Sequence, residues 1–322
     1  MGMWRVFLAL RKIEITETGI DAVRDCPGTK NHICCGYKTI DLVEGCLLSC
    51  SYCILKYYLK SDTIRINTNI DHIISQVDKI IENDKRHIWR FGTGELSDSL
   101  ALDRRYRLNI PFIEFFGNKK KALFELKSKW AQIDHLRPFL NRFTVVSFSL
   151  APQRIIEIEE KRSSPLYKRL KTLKKAQDTG CFVGLHLDPI IIYEGFEKDY
   201  YYLVEDIGRI LDLERVIWIS LGLLRFPAKM LDIFIKEKRK NLLYGEFIRG
   251  EDGKYRYLKS ERIRVYRMLY DLLKNKHSEL FIYLCMERED VWRESTDLTI
   301  NDSDELIGLF DKRIRHFYGG EL

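Results

Sequence analysis

From about residue 39 onward, apolar runs of strand length alternate with amphipathic stretches of helix length, and this alternation constrains the fold more than any other feature of the chain. KTIDLVEG, HIWRFG, ALFELK, RFTVVSFSL, CFVGLHL and RVIWISLG read as strands, with LFIYLC as a last one. Between them, Ile70, Ile73, Ile74, Val77, Ile80 and Ile81 recur at helical spacing behind Thr68 or Asn69 as an N-cap. A helical stretch is expected after Asp98, a short helix over IDHLRPFL, and a longer one from Pro165 to Thr179 stopped by Gly180. EKDYYYLVEDIGRIL, a segment starting near Pro227, and ERIRVYRMLYDLLK complete the helical set. Strands lacking strict polar alternation suit a parallel sheet covered on both faces. The class is therefore α/β. A partial (β/α)6 barrel with short N- and C-terminal extensions fits better than a doubly wound sheet, because the chemistry-bearing residues fall near the carboxyl ends of the strands. The expected divisions are a Cys-containing extension over 1–38, the barrel over 39–290 and a C-terminal tail over 291–322.

Charge narrows the partners only slightly. The formal net charge is +7, from 54 basic and 47 acidic residues, which is compatible with a polyanionic partner such as nucleic acid. The densest basic stretches are Lys119–Lys121 and Lys236–Lys240; solvated helix ends are the alternative for both. The opening MGMWRVFLALRKIEITE lacks the pattern of a signal peptide. No run reaches the roughly 20 apolar residues of a membrane span. A cytoplasmic location is expected, in which eight cysteines serve as metal ligands, catalytic groups or buried thiols rather than disulfides.

Six of those cysteines fall in the first 53 residues. Cys46, Cys50 and Cys53 are spaced C-x3-C-x2-C directly after the first strand of the alternating region. Three thiolates leave one iron of a four-iron cluster without a protein ligand, so that iron can take an organic ligand. Zinc, which favours four-ligand sets built on C-x2-C pairs, is the rival reading. The C-x7-C-C of Cys26, Cys34 and Cys35 matches no standard metal pattern. Buried thiols are one reading, and a second metal with Cys285 as a distant fourth ligand is the other.

GCLLSCSYC resembles the cluster loop of the radical S-adenosylmethionine (SAM) superfamily. Several further blocks, in order, resemble the spore photoproduct lyases, DNA repair enzymes that reverse a thymine dimer. They are CPGTKNHICCGYKTI, TGELSDSLALD, FELKSK, VSFSLAP, SPLYKRL, VGLHLDPIIIYEGF and WISLGLLRFP. The resemblance implies a [4Fe–4S] cluster on Cys46, Cys50 and Cys53. It also implies S-adenosylmethionine on the open iron, with reductive cleavage to a 5′-deoxyadenosyl radical, and a flavodoxin- or ferredoxin-type electron donor. It carries cofactor-binding roles onto Gly94 and Glu95 (the methionyl amine), Ser97, Lys129 (the carboxylate, with Lys127 as the alternative), Ser149, His186 and Arg225, and sets Tyr52 against the adenine. A turn, an N-cap or a satisfied core side chain is the competing reading at each of these positions. The match also has gaps. The cysteine that returns hydrogen to product in this family is replaced by Glu95, and the tyrosine after the third cluster cysteine by Ile54. Cys285 or a tyrosine, Tyr52 among them, then becomes the candidate hydrogen donor. DNA is the implied substrate; RNA, a peptide or a small molecule, and a non-catalytic metal protein that binds nucleic acid, are the alternatives.

Overall fold

The computed structural model describes residues 11–29, 31–59, 62–319 and 322. Most of the N-terminal stretch read above as lacking a signal lies outside them. One eight-stranded sheet organises the rest. Its strands are β1 (Val23–Asp25), β2 (Lys38–Ile40), β3 (Trp89–Gly92), β4 (Ala122–Ser128), β5 (Thr144–Ser149), β6 (Phe182–Ile190), β7 (Val216–Leu223) and β8 (Ile282–Leu284). Their order across the sheet is their order in the chain. β2 to β8 pair in parallel, and β1 pairs antiparallel with β2 at one edge. A doubly wound sheet reverses direction at a switch point, whereas sequential order winds every crossover the same way and curls the sheet into an open barrel.

The crossovers explain why the sheet is covered. Helix α1 (Ile70–Asn83) buries Ile73, Val77 and Ile81, one stripe at a spacing of four. Asn69 is its N-cap, although its side chain makes no capping bond. Helix α2 (Ile110–Lys119) packs Phe112 and Phe116 on Phe124 of β4. Helix α3 (Leu166–Asp178) starts after Pro165 and ends before Gly180, whose φ of +92° suits glycine at a helix end. Helices α4 (Phe196–Ile210), α5 (Ala228–Lys236) and α6 (Lys259–Lys276) follow.

Three expectations are corrected. KTIDLVEG is not one strand: Val43–Glu44 leaves the barrel to pair with Ile64–Asn67, which also pairs with Ile13–Thr16. IDHLRPFL forms turns, because Pro138 supplies no N–H and cannot continue a helix. The stretch between β7 and α6 holds more than a helix. Arg225–Pro227, Phe247–Arg249 and Lys254–Tyr257 form a small antiparallel sheet around Phe226.

Residues 303–318 form helix α7 (Ser303–Tyr318), which lies across the amino ends of the strands. Phe310 packs on Trp218, Phe281 and Tyr283. Arg313 donates to the carbonyls of Val216 and Ile217. Among the described residues, no helix is long and apolar enough to cross a membrane.

Candidate active site at the carboxyl ends of the strands

Each parallel strand delivers a polar or sulfur-bearing residue to one cavity of about 550 Å³, a size that suits a small-molecule ligand. Cys46, Cys50 and Cys53 line it from the loop after β2. That loop is clamped from below. Ser49–Cys50 pairs antiparallel with Glu160–Lys161, and the Ser51 N–H donates to the Glu159 carbonyl at 2.8 Å. The Tyr52 hydroxyl donates to Glu160, which in turn takes a bond from Arg169 at 2.5 Å. All three side chains are buried. Burial would raise the Glu160 carboxyl, but Arg169 and Lys129 outweigh it and keep it low. The charged pair therefore acts as a fixed post for the loop.

The thiols of the trio face one another closely enough to interact. Burial pushes Cys46 up to about 12 and raises Cys50 as well, so it takes a bound cation to hold them as thiolates. Soft sulfur donors of this kind fit an iron–sulfur cluster. Among the described residues no group of three or more His, Cys, Asp or Glu side chains is arranged to hold a single metal ion. Three thiols without a fourth protein ligand suit a four-iron cluster, whose remaining iron can take an organic ligand.

Past β3, Gly94, Glu95 and Ser97 line the cavity. Gly94 has no room for a side chain: a Cβ there would lie 2.9 Å from Lys127 Cβ and 3.0 Å from its carbonyl oxygen. Burial pushes the Glu95 carboxyl up, against the pull of Lys127 and Arg24. Asp98 ties this loop to the next, accepting from the N–H groups of Leu100, Ala101 and Lys129 and from the Ser128 hydroxyl, at 2.6–3.0 Å. Lys129 therefore emerges from a fixed backbone, and its ammonium stands 5.9 Å from the centre of the Tyr52 ring. Ser149 closes β5 at the cavity wall, where its carbonyl accepts from Arg169 at 2.7 Å.

On the far wall stand Asp188, Arg225 and Cys285. Burial would raise Asp188, but Arg225 and Lys127 outweigh it and hold the carboxyl low. Arg225 donates to Cys285 Sγ at 3.5 Å. Lys127, Arg24 and Cys26 also line the cavity; among these, only Lys127 was singled out from sequence as a cofactor contact. Two candidates stand differently from expectation. His186 is not at the cavity: it points into the barrel, 2.8 Å from Glu125, which also accepts from Ser147 at 2.5 Å and Trp218 at 3.1 Å. Tyr52 is at the cavity, but its hydroxyl is engaged by Glu160.

A family model described as "Spore photoproduct lyase" matches residues 31–280. The spore photoproduct lyase of Clostridium acetobutylicum is 30% identical over 168 residues, 52% of this chain and 50% of that protein. That of Bacillus subtilis is 29% identical over 236 residues, 69% of this chain and 68% of that protein. The match thus spans about half the length of the first of these relatives. A solved spore photoproduct lyase variant with bound AdoMet and dinucleoside spore photoproduct superposes with a TM-score of 0.72 at 22% identity, covering 84% of this chain and 81% of that one. At that identity the likeness is one of fold.

Proposed function

The chain belongs to the spore photoproduct lyase family, and from that premise we propose that it is a radical SAM enzyme that reverses a thymine dimer of the spore-photoproduct type in DNA. The observation that carries this reading is the convergence of Cys46, Cys50 and Cys53 on one cavity at the carboxyl ends of seven parallel strands. A [4Fe–4S] cluster on that trio, with S-adenosylmethionine beside it, would supply a carbon radical able to take hydrogen from substrate.

The chain's own residues would bind, orient and enclose. Lys129 offers a cation for the cofactor carboxylate, and Glu95 a carboxylate for its amine, with Gly94 admitting close backbone approach. Ser97 and Ser149 add hydroxyls on the same wall, and the Tyr52 ring a flat face. With its hydroxyl held by Glu160, Tyr52 serves better as a positioning group than as a hydrogen donor. Cys285, at the far wall beside Arg225, is the proposed donor of hydrogen to product. A reductant of the flavodoxin or ferredoxin type would supply the electron. A lesion already poorly stacked would cost less to extrude into the cavity than an intact base step.

The test is anaerobic incubation with reductant, S-adenosylmethionine and an oligonucleotide carrying the lesion, following restored thymines together with 5′-deoxyadenosine. Both products are expected. Release of 5′-deoxyadenosine with the lesion intact would reject the substrate and keep the chemistry. Glu95 favours a second reading in that event, a radical enzyme for another substrate, because a carboxylate stands where the family's thiol is expected.

A further inference from the structure

We propose that Tyr57 and Tyr58 form a stacking platform at the cavity rim, which takes an unstacked nucleobase of the DNA strand beside the lesion. The inference rests on the DNA substrate proposed above and adds the path by which the strand leaves the cavity.

The cluster loop itself places the two rings. After Cys53 the chain makes a single helical turn, Leu55–Tyr58. The Lys56 N–H donates to the Cys53 carbonyl at 3.1 Å, the Tyr57 N–H to the Ile54 carbonyl at 2.9 Å, and the Lys56 ammonium to the Ser51 carbonyl at 3.4 Å. Both tyrosines are thus tied to the segment that carries the iron ligands. Successive residues of a helical turn point about 100° apart, so no single packing surface covers both. Tyr58 lines the cavity with Ile54 and Leu55. Tyr57 faces α5, where the Lys229 ammonium stands 6.0 Å from its ring centre. The two rings meet edge-on, 5.1 Å apart at 66°.

Their exposure contrasts with the rest of the loop. Tyr52 is 9% exposed and bonded to Glu160, whereas Tyr57 and Tyr58 are 37% and 54% exposed. Scattered exposed aromatics are ordinary, but these adjoin a ligand cavity and two cations. Lys56 and Lys229 are exposed, and neither is ion-paired among the described residues. The basic run at the end of α5 is held against the same loop, because Arg239 pairs at 3.7 Å with Glu159, whose carbonyl accepts from the Ser51 N–H at 2.8 Å. Rings interleaved with lysines suit single-stranded nucleic acid: bases stack on the rings, phosphates meet the cations, and every base offers a π face. Extruding a lesion leaves its neighbours with one bare face, and an exposed tyrosine can cover it. An acidic protein partner would use the lysines but has no need of a ring that lines the cavity.

The test uses anisotropy with two single-stranded oligonucleotides carrying the lesion, one with intact flanking nucleotides and one with those flanks abasic. The unaltered, cluster-loaded chain is expected to prefer the intact one about tenfold; equal affinities would reject the platform without any variant. Y57A/Y58A is expected to bind the intact oligonucleotide about tenfold more weakly and the abasic one as before, with an unchanged salt slope because the phosphate contacts stay. Y57F/Y58F should match the unaltered chain. So should Y201A/Y202A, which removes an exposed edge-on pair on α4 that does not line the cavity. Iron content and the thermal transition report that each variant is folded. If folded Y57A/Y58A binds the intact oligonucleotide normally, loses the same factor on both, or loses no more than Y201A/Y202A, there is no platform. Normal binding with slower cluster reduction by a flavodoxin, but not by dithionite, would assign the rim to the electron donor and overturn the proposal. Failure of the unaltered chain to bind either oligonucleotide would reject the DNA reading itself, and the platform with it.

Discussion

At the residue scale the cavity rim leaves little freedom, and Gly94 is the clearest case. An alanine there would bring its methyl within 2.9 Å of Lys127 Cβ and 3.0 Å of backbone. Gly94→Ala is therefore expected to cost about 1–3 kcal/mol, the usual penalty of overpacking, read as a lower urea midpoint; an unchanged midpoint would mean that the loop yields freely. His186 allows a second test. Burial, aided by Lys127, holds its imidazole below the usual range. An unfolded histidine titrates near 6.5. Below that pH the unfolded chain takes up a proton that the folded one refuses, so this contribution is present above the unfolded value and is lost as pH falls towards the folded one. The slope is at most about 1.4 kcal/mol per pH unit. His186→Gln keeps a donor for Glu125 but cannot titrate. Its stability is expected to fall less steeply between about pH 6.5 and 5; parallel curves for the two proteins would show that His186 is not the group responsible. The sequence marks His186 as a candidate ligand because it closes a strand, but the pleat of β6 turns it inward to Glu125, a partner 61 residues away. Local spacing carries no sign of such a partner.

Elements were legible where the pattern is local. The trio of cysteines lies within one loop, α1 shows its stripe at a spacing of four, and α3 lies between Pro165 and Gly180. Legibility failed where pairing is distant. Val43–Glu44 reads as the end of a barrel strand, because nothing near it announces Ile64–Asn67 as its partner. The Glu160–Arg169 post under Tyr52, and the meeting of Cys26 with Cys285, depend in the same way on contacts between remote segments. The basic stretches show what packing does to an apparently equal pair. Lys119 and Lys121 are occupied by Glu82 at 2.7 and 2.9 Å, which ties α2 to α1. At the end of α5 and just beyond it, Lys236, Lys238 and Lys240 are exposed, and of the basic residues in that run only Arg239 is ion-paired among the described residues, with Glu237 and Glu159. α5 follows directly on the strand of Arg225, and Lys229 stands 6.0 Å from the Tyr57 ring beside the cluster loop. If DNA binds at the cavity, these three lysines are its nearest free cations on that run. K236A/K238A/K240A is expected to weaken DNA binding and to flatten the salt dependence of affinity by up to ~0.9 per lost phosphate contact, measured by fluorescence anisotropy over a salt series. An unchanged slope would take the strand path elsewhere.

On the scale of the whole molecule, an open barrel has two ends and must close one of them. The carboxyl ends face the cavity, and α7 covers the amino ends. The cover is made by both apolar and polar contacts. Phe310 meets three aromatic side chains from β7 and from β8 with the residue before it, and Tyr318 packs on Phe143 and Phe182. Asp311 accepts from the Ile88 N–H at 2.9 Å and bonds His87 at 2.8 Å, just ahead of β3. Phe310 also carries the Arg90 guanidinium, which bonds the Cys35 carbonyl, so the same side chain joins the cover to the loop between β1 and β2. Phe310→Ala should therefore do two things at once. It should cost about 3–5 kcal/mol, the usual range for a buried phenylalanine, and it should loosen Arg90 and with it the hairpin of β1 and β2. Phe310→Leu fills much of the volume but offers no ring face to the guanidinium, so it separates the two effects. If the ring matters only as bulk, leucine restores both stability and the hydrogen-exchange protection of β1 and β2. If Arg90 needs the ring, leucine restores stability while that hairpin stays fast-exchanging, and the amino-end cover then bears directly on the loop that brings Cys26 to the cavity.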